Sequence, residues 1–316
     1  MLLAGRAAIA QPARKVRRIG IITASLAADF TGPQPVAAQG KALLRGLGEL
    51  GYVYGQQYVT EVRNLTAQPG GAPAAIAELA GLGVEVIVAA GPTLLALKAA
   101  TTTIPVVMAA GIDPVGDGLI QSLRRPGTNF TGLSHQFADG VGKRLELLKE
   151  LVPGIAPVAV LWDQGSRSPW EAAQAAAKSR GWKLLSLEIK APGDIEAAVK
   201  SAAAARAGAL LVLTGTIAFP NRQRITELAT RARLPGMFDL RPYVDAGGLM
   251  SYGADLIELW HQSARFVDKI LKGAGPAELP VEQPTRFELV INLKAAKAIG
   301  LTIPPAMRLR ADEVIE

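Results

Sequence analysis

The run Val158-Ala159-Val160-Leu161, then a helical stretch ending Ser179-Arg180-Gly181-Trp182 and the strand-like residues 184–189, decides the fold because the chain has already spelled it once. Near the start, Gly20-Ile21-Ile22 leads into a helical stretch ending Glu49-Leu50-Gly51-Tyr52 and the strand-like residues 59–62. The echo continues in order. Residues 84–89 with Gly91-Pro92-Thr93 match residues 209–213 with Thr214-Gly215-Thr216, and Ile104-Pro105-Val106-Val107 matches Leu234-Pro235-Gly236-Met237-Phe238. The strands are short continuous apolar runs, the pattern of parallel strands covered by helices on both faces. Two similar α/β lobes, each Rossmann-like with a parallel sheet, are implied. Parallel sheets bind ligands outside the carboxyl ends of their strands, so two of them face to face make a cleft that can grip something small.

Working outward, the first lobe reads as strands at 17–22, 59–64, 84–89 and 104–109 with helices at 36–50, 73–82 and 93–100. The turn-rich Arg125-Pro126-Gly127-Thr128 and the following Thr131-Gly132-Leu133-Ser134 read as the first crossing of a multi-strand hinge. The second lobe reads as helices at 140–151, 169–180, 194–207 and 221–233 with strands at 157–161, 184–189, 209–213 and 236–238. Gly247-Gly248-Leu249-Met250-Ser251-Tyr252-Gly253 reads as an extended return crossing. Residues 256–271 keep Leu256, Leu259, Trp260, Phe266, Val267 and Ile270 at helical spacing, stop at Gly273, and are expected to pack on lobe one. The tail carries one more strand, 287–292, and a short helix ending at Gly300. The domains expected are therefore 1–16 as a signal-peptide remnant or disordered tail, 17–131 with 254–280 as lobe one, 132–253 as lobe two, and 281–316 as a C-terminal crossing segment whose lobe stays open.

Bulk properties exclude several classes. The chain's 316 residues suit two cores, and although 49% are hydrophobic they never run long enough, uncharged, to span a bilayer. Net charge is +7, but Arg14, Lys15, Arg17 and Arg18 lie ahead of the first strand without aromatic neighbours, so nucleic-acid binding is not expected. With no cysteine there are no disulfides, thiolate metal sites or lipid-attachment cysteine, and no metal site is expected. Residues 1–11 resemble the end of a secretory signal, with Ala8 and Ala10 at small-residue positions and only Arg6 as a charged leader, which favours export.

The search for catalytic or cofactor motifs is largely negative. Gly46-Leu47-Gly48-Glu49-Leu50-Gly51 spells G-x-G-x-x-G, but at a helix carboxyl end, where the dipole repels phosphate; no cofactor is expected. Gly132-Leu133-Ser134-His135-Gln136 lacks the closing glycine of a nucleophile elbow. His135 and His261 have no local acidic or metal-ligand companion and read as structural or surface residues. Asp113, Asp163 and Asp239 follow strands in separate segments; each could cap a helix, bind a ligand amine, or join a catalytic pair in space.

What remains is a set of loops after strands, rich in small polar residues. In lobe one these offer Ser25, with Phe30 beyond it, then Gly91, Pro92 and Thr93, then Asp113. In lobe two they offer Trp162, Ser166 and Arg167, then Thr214, Gly215 and Thr216, then Asp239 and Arg241. Pro92 just inside a helix start leaves neighbouring amides free for a carboxylate, with the Thr93 hydroxyl beside it. Arg167 or Arg241 could add a charge-assisted bond, and Trp162 or Phe30 an apolar wall. An enzyme, a hydrolase or isomerase using Asp113 or Asp239 as base, is the alternative reading. The sensor half of a transcription regulator is a third, but the segment before Arg17 is too short for a DNA-reading headpiece.

At these residues the chain resembles the solute-binding proteins of ABC transporters, in the bacterial family related to tryptophan- and tyrosine-type binding components. The likeness runs from Arg18 to the end. It rests on Leu47-Gly48-Glu49-Leu50-Gly51-Tyr52, Asp113-Pro114-Val115-Gly116-Asp117-Gly118-Leu119, Arg125-Pro126-Gly127-Thr128-Asn129-Phe130-Thr131-Gly132, residues 247–253, and the tail through Asn292-Leu293-Lys294-Ala295-Ala296-Lys297 and Ala311-Asp312-Glu313-Val314-Ile315. The resemblance implies a type I periplasmic binding protein: a monomeric periplasmic clamp with three crossings, a small ligand at the strand-end loops, and delivery to a membrane permease. It leaves open whether the ligand is an amino acid or an aromatic or aliphatic acid.

Overall fold

The first lobe is built on a sheet of five strands, β1 (Arg17–Thr23), β2 (Tyr58–Asn64), β3 (Val86–Ala90), β4 (Val106–Gly111) and β5 (Phe130–Ser134). Its order is β2-β1-β3-β4-β5 and every neighbouring pair is parallel. This computed structural model describes residues 16–24, 26–65, 67–135 and 137–316, the side chains of 137 and 139 excepted. Helices α1 (Ala38–Glu49), α2 (Gly71–Gly81) and α3 (Thr93–Ala100) connect the strands. Side chains alternate across a strand, so Ile19 and Ile21 of β1 pack with Leu43 and Leu47 of α1, while Ile22 packs with Leu79 and Leu97 of α2 and α3. Both faces are buried, and the strands carry no polar alternation for that reason.

The second lobe repeats the plan with α4 (Phe137–Leu151), β6 (Val158–Trp162), α5 (Arg167–Ser179), β7 (Leu184–Glu188), α6 (Asp194–Ala204), β8 (Ala209–Val212), α7 (Arg222–Arg231), β9 (Gly236–Phe238), α8 (Arg241–Asp245) and β10 (Met250–Gly253). Its strands run β7-β6-β8-β9-β10, the same order as in the first lobe. Two tail strands extend this sheet: β11 (Glu288–Asn292), antiparallel to β10, and β12 (Glu313–Ile315), parallel to β11. In each sheet the winding direction reverses beside the first strand, between β1 and β3 and between β6 and β8. That reversal opens a crevice at the strands' carboxyl ends, where open α/β sheets bind their ligands.

Helix α9 (Leu256–Leu271) returns to the first lobe and buries Leu259, Trp260, Ala264, Phe266 and Val267 in the core that α1 shares. Gly46 permits the close crossing of the two helices: a Cβ there would lie 2.5 Å from the His261 carbonyl oxygen. Gly51 takes a left-handed φ of +88° just after α1. Two glycines of the G-x-G-x-x-G string thus serve helix packing and a helix stop.

Two readings of the hinge need correction. Residues 131–134 belong to β5, the edge strand of the first sheet, paired to β4 through Thr131, Gly132 and Ser134, because Gly132 at φ +122° lets β5 lie against β4 where a Cβ would meet the Met108 oxygen at 2.3 Å. Met250–Gly253 is β10, an interior strand of the second sheet, where the sequence reading has a crossing. The tail holds β12 and the short helices α10 (Leu293–Ala298) and α11 (Pro305–Arg310), all beside the second sheet; α11 and β12 are too short to show a period in the sequence. The chain passes between lobes after β5, after β10 and again before β11, where Glu282 still bonds to β5 through Gly132 and Ser134.

Candidate functional site

Strand-end loops of the two lobes face each other across a cavity of about 150 Å³, lined from both. From the first lobe, the end of β1 supplies Thr23 and Ala24, and the turn after β3 supplies Gly91, Pro92 and Thr93. These are the two sides of that sheet's reversal. Gly91 turns with φ +60°, its N–H donating to the Ala110 carbonyl at 2.8 Å. Pro92 occupies the cap of α3, so the amino end of that helix, with its partial positive charge, opens on the cavity. The Thr93 hydroxyl donates to the Ala90 carbonyl at 2.9 Å.

Aromatic rings close the first-lobe wall. A single turn of 3₁₀ helix at Ala27–Phe30 carries Phe30 inward against Trp260 of α9, ring centroids 5.7 Å apart and tilted by 45°. Both rings line the cavity and both are nearly fully buried.

The second lobe contributes Thr214, Phe219 and Leu240, with His135 from the first crossing. Thr214 sits at the end of β8, and its N–H donates to the Asp239 carboxylate at 2.8 Å while its hydroxyl donates to the same group. Asp239 is fully buried; desolvation raises its pKa, opposed by Arg144 and by the bonds from Thr214. Arg144 is itself fully buried and donates from Nε to the Tyr252 carbonyl of β10 at 2.7 Å, tying α4 to that strand. His135 is held neutral, its pKa pushed down to about 3 by burial and then by Arg144. Burial pushes the Tyr243 hydroxyl, 3.3 Å from Thr214 Oγ1, well up.

Of the residues expected from sequence, Phe30, Gly91, Pro92, Thr93 and Thr214 meet at this cavity. Ser25 lies outside the described residues. The others sit elsewhere, each for a visible reason. Trp162 turns into the core, stacked on Trp170 at 5.4 Å and donating from Nε1 to Ser186, so it is not a cleft wall. Ser166 caps its own turn through Asp163. Gly215 and Thr216 wrap the Asp163 carboxylate, which lies so near that a Cβ on Gly215 would clash with it. Asp113 accepts from the Gly116 N–H at 2.9 Å and caps its loop. Asp239 lies behind Thr214. Arg167 pairs with Glu171, and Arg241 with Glu313 and Asp245; neither guanidinium lines the cavity.

Sequence reasoning passed over His135, Ile112, Phe219, Leu240 and Trp260 as site residues. An apolar wall residue looks like a core residue when read from spacing alone, and Trp260 continues the buried stripe of α9. Among the described residues no cluster of His, Asp and Glu could hold a metal ion, and no helix is long and apolar enough to cross a membrane.

A family model for ABC transporter substrate binding proteins matches residues 34–315. The chain belongs to that family. Among relatives of this substrate binding protein is the tyrosine-binding protein of Clostridioides difficile (strain R20291), 25% identical over 226 residues. That match covers 71% of this chain and 63% of the relative, so the chain spans less than two thirds of the relative's length. Among solved structures, the substrate binding protein is similar to a conserved domain protein from Vibrio cholerae O1 biovar El Tor, with TM-score 0.83 and 28% identity over 95% of this chain and all of the other. It is also similar to an ABC domain in complex with L-Trp from Streptococcus pneumoniae, with TM-score 0.85 and 25% identity over the same shares. Both share the two α/β lobes of the type I periplasmic binding protein fold, the fold class expected from the doubled sequence.

Proposed function

We propose that this chain is the binding component of an ABC importer whose lobes close on a small, carboxylate-bearing ligand with an apolar body and hand it unaltered to a membrane permease. The observation that carries this reading is the cavity lined by strand-end loops of both lobes, at the reversal point of the first sheet and after β8 and β9 of the second. Ligand that touches both lobes binds the closed form better than the open one, and so shifts the population toward closure. The amino end of α3, capped by Pro92, attracts a carboxylate. Phe30, Trp260, Phe219 and Leu240 form a wall for an aromatic or branched aliphatic body. The relatives described as tyrosine-binding and as bound to L-Trp support a ligand of this size and character. Export to the periplasm and a monomeric state complete the proposal.

A thermal-shift screen of amino acids and of aromatic and aliphatic acids, with recovery of the ligand, tests it. One class should raise the melting temperature and come back chemically unchanged. Conversion of the ligand would instead favour the enzyme reading.

A further inference from the structure

The second sheet has an edge far from the cleft, where its parallel strands begin, and that edge is basic. Lys183 stands in the turn before β7, Arg206 before β8 and Arg233 before β9. Strand β11 runs antiparallel to β10, so its end reaches the same edge and brings α10 there with Lys294 and Lys297. A groove beside α10 is lined by Lys297 and by Arg308 of α11. All of these side chains are exposed, and none has an ion pair within the described residues. Glu150 is taken by Arg310 and Glu146 by Arg180, while Glu316, just past β12, offsets part of the charge. The matching edge of the first sheet differs: there Arg17 is paired with Glu85 and Arg18 with Glu61.

Two of these charges are kept against a backbone preference. Where a helix stops before the next strand, this chain turns through a glycine of positive φ, as at Gly51, Gly83, Gly181 and Gly247 after α1, α2, α5 and α8. After α6 and α7 the same left-handed turn is made by Arg206 at φ +52° and Arg233 at φ +51°. A Cβ is unfavourable in that region, and glycine avoids the cost. Neither guanidinium has a hydrogen bond or ion pair within the described residues, so no internal contact accounts for keeping it.

An apolar side chain stands in the same patch. Leu309, between Arg308 and Arg310 on α11, is 87% exposed, the most of any large apolar side chain among the described residues. Cations around an exposed apolar side chain suit an anionic lipid surface, whose headgroups take the charge and whose acyl boundary takes the leucine. The carboxyl ends of the strands carry the cavity, so contact at the opposite edge leaves the cleft clear.

We propose that the amino edge of the second sheet, with α10 and α11, docks on an anionic lipid bilayer, Leu309 entering the headgroup boundary. This docking is independent of what the cleft binds.

Sedimentation of the full chain with vesicles of phosphatidylcholine alone, or with about one third phosphatidylglycerol, tests this. At low salt the chain should partition onto the anionic vesicles about tenfold or more tightly, and added salt should erase most of the preference. Arg206→Gly combined with Arg233→Gly should cut that partition about tenfold and melt no lower than the parent, since glycine suits both turns. Leu309→Ser should weaken it about threefold, with the fold intact because the side chain is exposed. Arg124→Ser combined with Arg125→Ser removes the same charge from exposed positions of the first lobe and should change partition by less than about twofold. Equal partition onto both kinds of vesicle overturns the inference, as does equal loss in the two double variants or undiminished partition by Leu309→Ser. Binding to soluble polyphosphate without binding to vesicles also overturns it, and makes the face one for anionic polymers.

Discussion

The Asp163 carboxylate reaches from the end of β6 to the loop after β8 and accepts the Ile217 N–H at 2.8 Å, with Thr216 and Ala218 bonded on either side at 3.1 Å. One fully buried acid thus shapes the loop that leads from Thr214 to Phe219, two residues of the cavity wall. Removing it leaves several backbone donors without an acceptor. Asp163→Ala is expected to lower stability by about 3 kcal/mol or more, since each bond to a charged group contributes about 1.5 to 3 kcal/mol. Urea unfolding of the variant checks this, and Asp163→Asn should recover part of the loss.

Trp260 is the indole placed on the cavity; Trp162 and Trp170 stack within the second lobe's core. Ligand-induced change in tryptophan fluorescence should therefore come from Trp260. The Trp260→Phe variant should lose most of that signal and bind with less than about tenfold loss, because the phenyl ring keeps the apolar wall. Equal signals in variant and parent, measured by titration, would place the ligand elsewhere.

Thr93 and Arg241 should part company. Thr93→Ala removes the hydroxyl that ties the start of α3 to the Ala90 carbonyl and should weaken ligand binding by about 1 kcal/mol through the loss of that positioning bond. Arg241→Ala breaks an exposed pair with Glu313 and should leave affinity unchanged, with a stability cost of about 1 kcal/mol at most. Calorimetric titration of the two variants reads both outcomes.

Stability should fall in mild acid. In the unfolded chain His135 takes up a proton near pH 6.5, whereas in the folded chain it stays neutral down to about 3. The unfolded state binds the extra proton between those values, so the folded state loses up to about 1.4 kcal/mol per pH unit as pH drops below about 6.5, and nothing above it. Asp239 opposes this at the acid end, because its raised pKa makes the folded state bind its proton first. Melting temperatures from pH 7 to about pH 5 should decline in the parent chain, and His135→Gln should flatten the decline.

The strand-helix series was legible because both sheets are buried on both faces, which leaves apolar runs bounded by turn residues. The site was legible only where backbone chemistry marks it, as at Gly91-Pro92-Thr93, whose turn and helix start are local. Trp162 shows how a local sign misleads: it shares its face of β6 with Val158 and Val160, and strand parity turns it into the core. Arg241 read as a ligand contact because its partner, Glu313, lies 72 residues away on a strand of three residues. Trp260 sits in the same apolar stripe as its core neighbours on α9, and only the fold tells which end of the stripe faces the cleft.

If ligand closes the two lobes on each other, the distance between them must shorten on binding. The chain has no cysteine, so Leu95→Cys in the first turn of α3 and Gln223→Cys in the first turn of α7 give spin labels only on either side of the cleft. Pulsed dipolar spectroscopy, with and without saturating 3-phenylpropionate or whichever acid or amino acid binds most tightly, should show the distance distribution shorten and narrow when ligand is present. An unchanged distribution, with calorimetry confirming that the ligand is bound, would contradict the clamp.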